Sequence, residues 1–177
     1  KLDGTNAAGQ VFPDERVVAQ SRSQIITPEK DNAGFAVWVA KNKSDFADCA
    51  QPMHMTIFGE WCGKGIQKRT AISEIDRKVF VVFAIQFGGK EDDISRLEII
   101  PERIAACVPA HPDVYVLPFS GEAMTLDFSD TEGLEEAIAL INQQVDAVEQ
   151  IDPWVKATFG IEGLGEGLVF YPSDDSF

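Results

Sequence analysis

Runs of apolar residues predict four β-strands. The runs are rich in β-branched and aromatic residues, which favour strands, and they are Met53–Phe58, Val79–Phe87, Val114–Leu117 and Met124–Phe128. In the second run, alternation predicts that one face of the strand carries Val79, Val81, Phe83, Ile85 and Phe87. The other face would carry Phe80, Val82 and Ala84. Because both faces are apolar, we expect this strand to be covered on both sides.

Apolar residues at helical spacing predict one long helix with a single apolar side, formed by Leu134, Ile138, Ile141, Val145 and Val148. Ser129 and Glu132 have the spacing of a capping box at its start, and Pro153 is expected to end it. Two shorter helices are expected, from Asn32 to Val39 and after Pro101. Strands and helices that do not alternate regularly indicate an α+β fold rather than a doubly wound sheet.

The composition is that of a globular protein. Apolar residues make up 45% of the chain and charged residues 25%, and disordered proteins have fewer apolar residues. The longest apolar stretch, Val79–Ile85, is far shorter than the roughly 20 residues that cross a bilayer. Three scattered cysteines and two isolated histidines predict neither a disulfide framework nor a zinc site. We therefore expect an intracellular, cytoplasmic protein with no membrane partner, located in the host cytoplasm if the protein is viral.

The formal net charge of −14 argues against a general affinity for nucleic acids, because phosphate binding depends on Lys and Arg. Two local basic clusters oppose this trend. Lys64, Lys68 and Arg69 form the first, and Arg77 and Lys78 form the second. Each cluster is either an ordinary solvated surface or part of a phosphate-binding track, and the composition does not decide between them.

The chain opens with the sequence Lys1-Leu2-Asp3-Gly4-Thr5-Asn6. A lysine amine is a nucleophile only when it has lost its proton, and burial or nearby positive charge makes that loss easier. Gly4 would allow a nucleotide to approach the backbone closely. By itself, however, a lysine followed by Asp-Gly is also typical of a surface hairpin.

Three later segments carry further candidates. Phe58–Gln67 places Glu60 and three glycines directly after an apolar strand, and Lys78–Ile85 contains the aromatic Phe83. Near the end, Glu166 lies between two glycines, before an apolar run that is expected to form a strand. Each segment also has an ordinary alternative, since Gly-Glu-Gly is a common turn and phenylalanine is a common core residue.

In their order and spacing, these segments together resemble the nucleotidyltransferase superfamily of ATP-dependent DNA ligases, RNA ligases and GTP-dependent mRNA capping enzymes. Thr5-Asn6 and the run through Gln67 are most similar to the second RNA ligase of T-even phages and the kinetoplastid RNA-editing ligases. The resemblance extends from Lys1 to Pro172. It implies a nucleotidyltransferase (adenylyltransferase) fold with mixed, mainly antiparallel sheets flanked by helices.

This resemblance implies RNA repair chemistry with ATP and Mg²⁺ (or Mn²⁺) as cofactors. Lys1 would attack the α-phosphorus of ATP, expel pyrophosphate and become a lysyl-adenylate. AMP would then pass to an RNA 5′-phosphate, and an RNA 3′-hydroxyl would displace it to seal the break. The expected partner is therefore RNA with 5′-phosphate and 3′-hydroxyl ends, and the expected enzyme is a monomer.

The same resemblance assigns a role to each candidate side chain. Phe83 would stack on adenine, Glu60 would hold the ribose, and Glu166 would support the metal ion. The remaining nucleotide-binding positions would be Asp3, Gly4, Asn6 near the phosphates, and Arg22 at the sugar and phosphates.

The sequence departs from the family pattern in three places. Ala84 stands where the family usually has an acidic residue, directly after the stacking aromatic. The family also has a segment before the nucleophile, and a later strand whose two lysines face the phosphates. We therefore expect residues 1–177 to be one nucleotidyltransferase domain of a longer protein, without that N-terminal segment and without the C-terminal lysine motif.

Two alternatives stay open at this point. The protein could be another lysyl-nucleotidyltransferase, either a DNA ligase or a capping guanylyltransferase. It could also be a degenerate family member that binds nucleotide or RNA without catalysis, an interpretation favoured by Ala84 and the acidic charge.

Overall fold

The computed structural model describes residues 1–89 and 95–172. Seven strands form its sheet: β1 (Thr5–Val11), β2 (Val17–Ser21), β3 (Ile25–Ile26), β4 (Met55–Gly63), β5 (Lys78–Phe87), β6 (Arg96–Glu98) and β7 (Val114–Val116). The α-helices are α1 (Phe35–Lys41), α2 (Lys43–Ala47), α3 (Pro101–Ala105), α4 (Thr131–Gln150) and α5 (Pro153–Phe159). A short 3₁₀ helix, Ala71–Glu74, lies between β4 and β5.

The strands form one mainly antiparallel sheet. Its order is β3-β2-β1-β4-β5-β6, and β7 pairs in parallel with another part of β5. The two longest strands, β4 and β5, lie next to each other near the centre. The predicted α+β class is therefore confirmed, and the sheet is mainly antiparallel as expected.

Each side of the sheet has its own hydrophobic core. On one side α1, α2 and α3 contribute the fully buried Phe35, Phe46 and Ile104, which pack in a cluster with Trp61 and Phe80. The other side is covered by the 3₁₀ helix, by α5 and by the start of the chain. The residues buried on this side include Leu2, Ile72, Ile75 and Val155. The predicted covering of both faces of β5 is thus confirmed.

A β-bulge in β5 changes the predicted alternation of that strand. Phe58 of β4 is paired with Ala84, whereas the next residue, Gly59, is paired with Val82. Phe83 is therefore the extra residue, with no partner in the β4 register. A bulge bends the strand locally and redirects a side chain.

After the bulge, the side chains of β5 lie on the faces of the sheet opposite to those that simple alternation predicts. Before it, Val79 and Val81 belong to the core near the start of the chain, while Phe80 belongs to the helix-covered core. After it, Ile85 and Phe87 pack with the helix-covered core as well. The prediction of one continuous face from Val79 to Phe87 was wrong, because one inserted residue exchanges the faces of a strand.

Two other strand predictions were wrong. The segment 124–128 is not a strand, and Phe128 is 81% exposed. The apolar run after Glu166 is also without strand structure as far as Pro172. Both segments have strand-like composition, but no neighbouring strand in the described structure pairs with them, and composition alone does not form a sheet.

The helix predictions are confirmed apart from their ends. The short helices are α1 and α3, and the long one is α4. Its N-cap is Asp130, whose carboxylate accepts a hydrogen bond from the Gly133 amide, rather than Ser129. Pro153 does not end α4 directly but occupies the first turn of α5, where proline is well tolerated. Within the described residues, no helix is long and apolar enough to span a membrane.

Candidate active site

Lys1 lies against the segment that contains Glu166. Its backbone nitrogen donates a hydrogen bond to the Gly167 carbonyl at 2.9 Å, and its Nζ donates to the Glu166 carboxylate. The two side chains form an ion pair, 51% and 31% exposed respectively. The first residue and the predicted metal residue are therefore brought into contact.

Four backbone hydrogen bonds fix the segment that carries Glu166. The Gly163 carbonyl accepts from Asp152, the Leu164 carbonyl accepts from Ala71, and the Gly165 amide donates to Val148, all at 2.8–3.0 Å. The fourth bond is the one from Lys1 to Gly167. A Cβ at Gly165 would lie only 2.5 Å from the Val148 carbonyl oxygen, so glycine is required for this approach. Glu166 is thus held in place although its segment has no regular structure.

Asp3 and Gly4 are held by the connection after β4. Thr70 Oγ1 donates to Asp3 Oδ2 at 3.2 Å, and Gln67 Nε2 donates to the Gly4 carbonyl at 3.3 Å. A Cβ on Gly4 would lie 2.8 Å from the Trp61 carbonyl oxygen and 3.1 Å from Glu60 Oε2. Gly4 is therefore needed for close packing against β4, which brings the opening motif to Glu60.

Glu60 is a half-buried acid on β4, on the side of the sheet that Lys1 covers. Burial, reinforced by the negative charge of Glu166, raises the pKa of Glu60 to about 7. At neutral pH this carboxyl is consequently shared between its protonated and ionised forms. A buried acid with a strongly raised pKa is a common feature of functional sites.

The acidic surroundings keep Lys1 charged. Its hydrogen bond to Glu166 is the largest cause that raises the pKa of Lys1, and the charges of Glu60 and Asp3 act in the same direction. The sequence suggested burial and nearby positive charge as the means of activating this lysine. The structure instead surrounds it with carboxylates.

Phe83 lies in a cavity together with Lys1 and Glu60. The cavity has a volume of about 200 Å³. Phe83 is half-buried and belongs to neither core cluster, in contrast to its neighbour Phe80, which is fully buried. The remaining cavity wall is mostly apolar and consists of Leu2, Val81, Ile99, Leu117, Pro118, Phe119, Ser120, Leu168, Val169 and Tyr171.

A second cavity of about 300 Å³ adjoins the first and shares Lys1 and Phe119 with it. Trp154, Pro153 and Asp152 contribute the part of its wall formed by the start of α5. Lys1 therefore lies where the two cavities meet.

Two predicted residues line neither cavity. Asn6 is on β1 directly opposite Glu60 of β4, and side chains of such a pair project from the same face of the sheet. Arg22 is exposed in the turn after β2. The structure therefore brings together Lys1, Glu60, Phe83 and Glu166, with Asp3 and Gly4 beside them.

The predicted metal ligand has no preformed cluster around it. In residues 1–89 and 95–172, no three His, Cys, Asp or Glu side chains are grouped to hold a metal ion. Mg²⁺ commonly uses one or two carboxylates together with water and substrate phosphates. Glu166 is a carboxylate that already forms an ion pair with the Lys1 ammonium, so it suits the role of such a Mg²⁺ ligand.

Sequence reasoning did not identify several residues that complete the site. Thr70 holds Asp3, and Ile99, Leu117 and Phe119 form much of the cavity wall. Gln67 was noted as part of a motif, but not as a hydrogen-bond donor to Gly4. Ile99, Leu117 and Phe119 lie outside regular structure, and although Leu117 ends a predicted apolar run, hydropathy does not indicate that a residue lines a cavity.

The sequence matches the family model for RNA ligases over residues 1–177. The chain belongs to the RNA ligase family. A search of curated proteins found no similar sequence.

Proposed function

We propose that the protein is the catalytic core of an ATP-dependent RNA ligase that works through a lysyl-adenylate on Lys1, of the type found in T-even phages and kinetoplastid RNA editing. The observation that carries the proposal is the contact of Lys1 with Glu166 beside a cavity that also contains Glu60 and Phe83. In this family, such a group provides a nucleophile, a carboxylate for metal and phosphate, and a surface for a nucleobase.

In the first proposed step, the unprotonated Lys1 Nζ forms a bond to the α-phosphorus of ATP. The bond from that phosphorus to the bridging oxygen breaks, pyrophosphate leaves, and the amine loses a proton to solvent. An oxygen of the RNA 5′-phosphate then attacks the phosphorus of AMP, the phosphorus–nitrogen bond breaks, and Lys1 leaves as the amine after taking up a proton. Finally an RNA 3′-hydroxyl attacks the 5′-phosphate and gives its proton to solvent, which forms the phosphodiester and releases AMP.

Before this reaction, Glu166 holds the proton on Lys1. Glu166 is also the residue that would hold Mg²⁺ or Mn²⁺, whose chemistry there is the neutralisation of phosphate charge. A Glu166 carboxylate that held such an ion would stabilise the ammonium form of Lys1 less. The ion pair is therefore consistent with a resting state of the nucleophile.

Phe83 and Glu60 would bind the nucleoside part of ATP. A half-buried aromatic ring in a mostly apolar cavity suits an adenine base, since stacking of a base on an aromatic ring is worth about 1–3 kcal/mol. The Glu60 carboxyl, on the neighbouring strand, would accept hydrogen bonds from the ribose hydroxyls. Asn6, directly opposite Glu60, and the exposed Arg22 would contact the phosphates and the sugar.

A second function is binding of nucleotide or RNA without catalysis. The charged state of Lys1 and the alanine at position 84 favour it. Incubation with α-labelled ATP or α-labelled GTP, followed by denaturing electrophoresis, separates these functions. We expect a covalent label from ATP alone, and sealing of a nicked RNA in preference to a nicked DNA. Label from GTP would indicate a capping enzyme, and reversible binding without label would indicate the non-catalytic function.

A further inference from the structure

The connection between β4 and the 3₁₀ helix forms an exposed basic loop. We use this name for residues 64–69, which include Lys64, Lys68 and Arg69. All three side chains are exposed. None of them forms an ion pair with any residue that the structure describes. The loop therefore presents three cations without acidic partners, in a chain whose formal net charge is −14.

Hydrogen bonds hold the basic loop against the opening motif, residues 1–6. Gln67, inside the loop, donates to the Gly4 carbonyl, and Thr70, directly after it, donates to Asp3. The Ala71 amide then donates to Leu164, two residues before Glu166. Gln67 has a positive φ of 56°, a backbone conformation that costs free energy in a residue other than glycine. The three cations are thus held beside the site rather than on an independent surface.

The centre of the site has the opposite charge. Asp3, Glu60 and Glu166 are all close enough to Lys1 to raise its pKa. Carboxylates so placed repel a polyanion, and charges act over about 10 Å at moderate ionic strength. A nucleic acid that reaches Lys1 therefore needs nearby cations to offset this repulsion. The basic loop supplies them next to the motif itself.

We propose that the basic loop binds backbone phosphates of the RNA substrate. This inference rests on the proposed function, because it names a contact of the same ligase site. The phosphates are assigned to RNA rather than to ATP because none of the three cations lines either cavity beside Lys1. The contacts would be to phosphate and would not depend on the base sequence, since flexible lysines outside a groove position the backbone.

The test is RNA binding measured as a function of salt concentration. The probe is a fluorescently labelled, nicked RNA duplex with a 5′-phosphate at the nick, followed by anisotropy. Each phosphate contact contributes about 0.7–0.9 to the slope of log affinity against log salt concentration. For the triple variant Lys64→Ala, Lys68→Ala and Arg69→Ala we expect the slope to fall by about 2 to 3. Affinity at low salt should fall at least about tenfold.

Two control variants test whether a change in the salt slope is specific to the basic loop. The double variant Lys41→Ala and Lys43→Ala removes exposed cations from α1 and α2, which cover the opposite face of the sheet, and should leave the slope unchanged. The charge-conserving variant Lys64→Arg, Lys68→Arg and Arg69→Lys should retain it. Thermal melting checks that each variant is folded. A folded triple variant with the wild-type slope, or equal losses in both alanine variants, would overturn the proposal.

Covalent labelling by α-labelled ATP separates this inference from the proposed function. We expect the triple variant to form the adduct at the wild-type rate and to lose only the RNA-dependent steps. A normal salt slope with a weakened apparent affinity for ATP would overturn the assignment to RNA. If wild-type protein forms no adduct at all, the proposed function fails, while the anisotropy measurement still decides the role of the basic loop. No RNA binding by the wild-type protein would also overturn the inference.

Discussion

Lys1 and Glu166 are 165 positions apart in the sequence, yet the Lys1 ammonium donates a hydrogen bond to the Glu166 carboxylate. This contact depends on the hydrogen bonds that hold residues 163–167 against Ala71, Val148, Asp152 and Lys1. It brings the opening motif together with the segment that carries Glu166. It also determines the protonation state in which the amine rests.

Glu166→Gln should lower the pKa of Lys1, because the hydrogen bond to that carboxylate is the largest cause of its increase. The Lys1 amine should therefore lose its proton at a lower pH in Glu166→Gln than in the wild-type protein. The titration of the Lys1 ¹³Cε signal by NMR, without ligands, measures this change. Glu162→Gln, which breaks the exposed pair with Lys156, should leave Lys1 unaffected. An unchanged Lys1 titration in Glu166→Gln would contradict the structure.

The two acidic residues should differ in their response to metal ions. Glu166→Gln should reduce adduct formation by roughly 10–100-fold, as loss of groups around a metal commonly does, and added Mg²⁺ or Mn²⁺ should recover part of it. Glu60→Gln should not respond to metal, because Glu60 is assigned to the ribose. Initial rates across a metal titration distinguish the two. Equal recovery of both variants would show that the roles are shared or exchanged.

Phe83 and Phe80 offer a matched pair on β5. Phe83→Leu should raise the KM for ATP roughly tenfold, from the loss of about 1–3 kcal/mol of stacking, with little change in melting temperature. Phe80→Leu should do the opposite, since it removes volume from a fully buried site at a cost of roughly 1–2 kcal/mol. Steady-state kinetics and thermal melting are measured on both. Two variants with the same profile would assign Phe83 to the core.

Glu60 should make stability depend on pH. Its pKa is about 7 in the folded protein because of burial and Glu166, above the usual value near 4.3. The folded state therefore binds more protons than the unfolded state between these values, so the free energy of unfolding falls as pH rises through that range.

Glu60→Gln has no carboxyl group to ionise, so it should not lose this part of its stability as pH rises. At pH 8 its free energy of unfolding should exceed that of wild type by roughly 1 kcal/mol after allowance for solvent screening. The difference in melting temperature, about 2–4 °C, should disappear near pH 5. Glu135→Gln, at an exposed position on α4, is the control. A gain of equal size at both pH values would exclude Glu60 as the cause.

The sequence predicted the central strands and the long helix because long apolar patterns mark them clearly. It missed β1, whose sequence Thr5–Val11 is dominated by small and polar residues. The structure explains that composition: a Cβ on Gly9 would lie 2.6 Å from the Phe46 ring. β1 needs glycine at position 9 because α2 packs closely against it. A local sequence pattern does not reveal this contact.

The candidate residues could be chosen from the sequence, but their geometry could not. The motifs identified Lys1, Glu60, Phe83 and Glu166, and the structure places these residues together. The bulge that isolates Phe83 comes from the register between β4 and β5, which depends on tertiary pairing. The acidic surroundings of Lys1 likewise arise from residues distant in sequence.

We propose above that Lys1 carries AMP, and peptide mass spectrometry of the protein after incubation with ATP and Mg²⁺ tests this directly, with acid-free digestion to preserve the phosphoramide bond. We expect one AMP adduct, located on the Lys1 side chain, and its complete loss in a Lys1→Ala variant that melts like wild type. An AMP adduct on another lysine, or one that persists in Lys1→Ala, would contradict it.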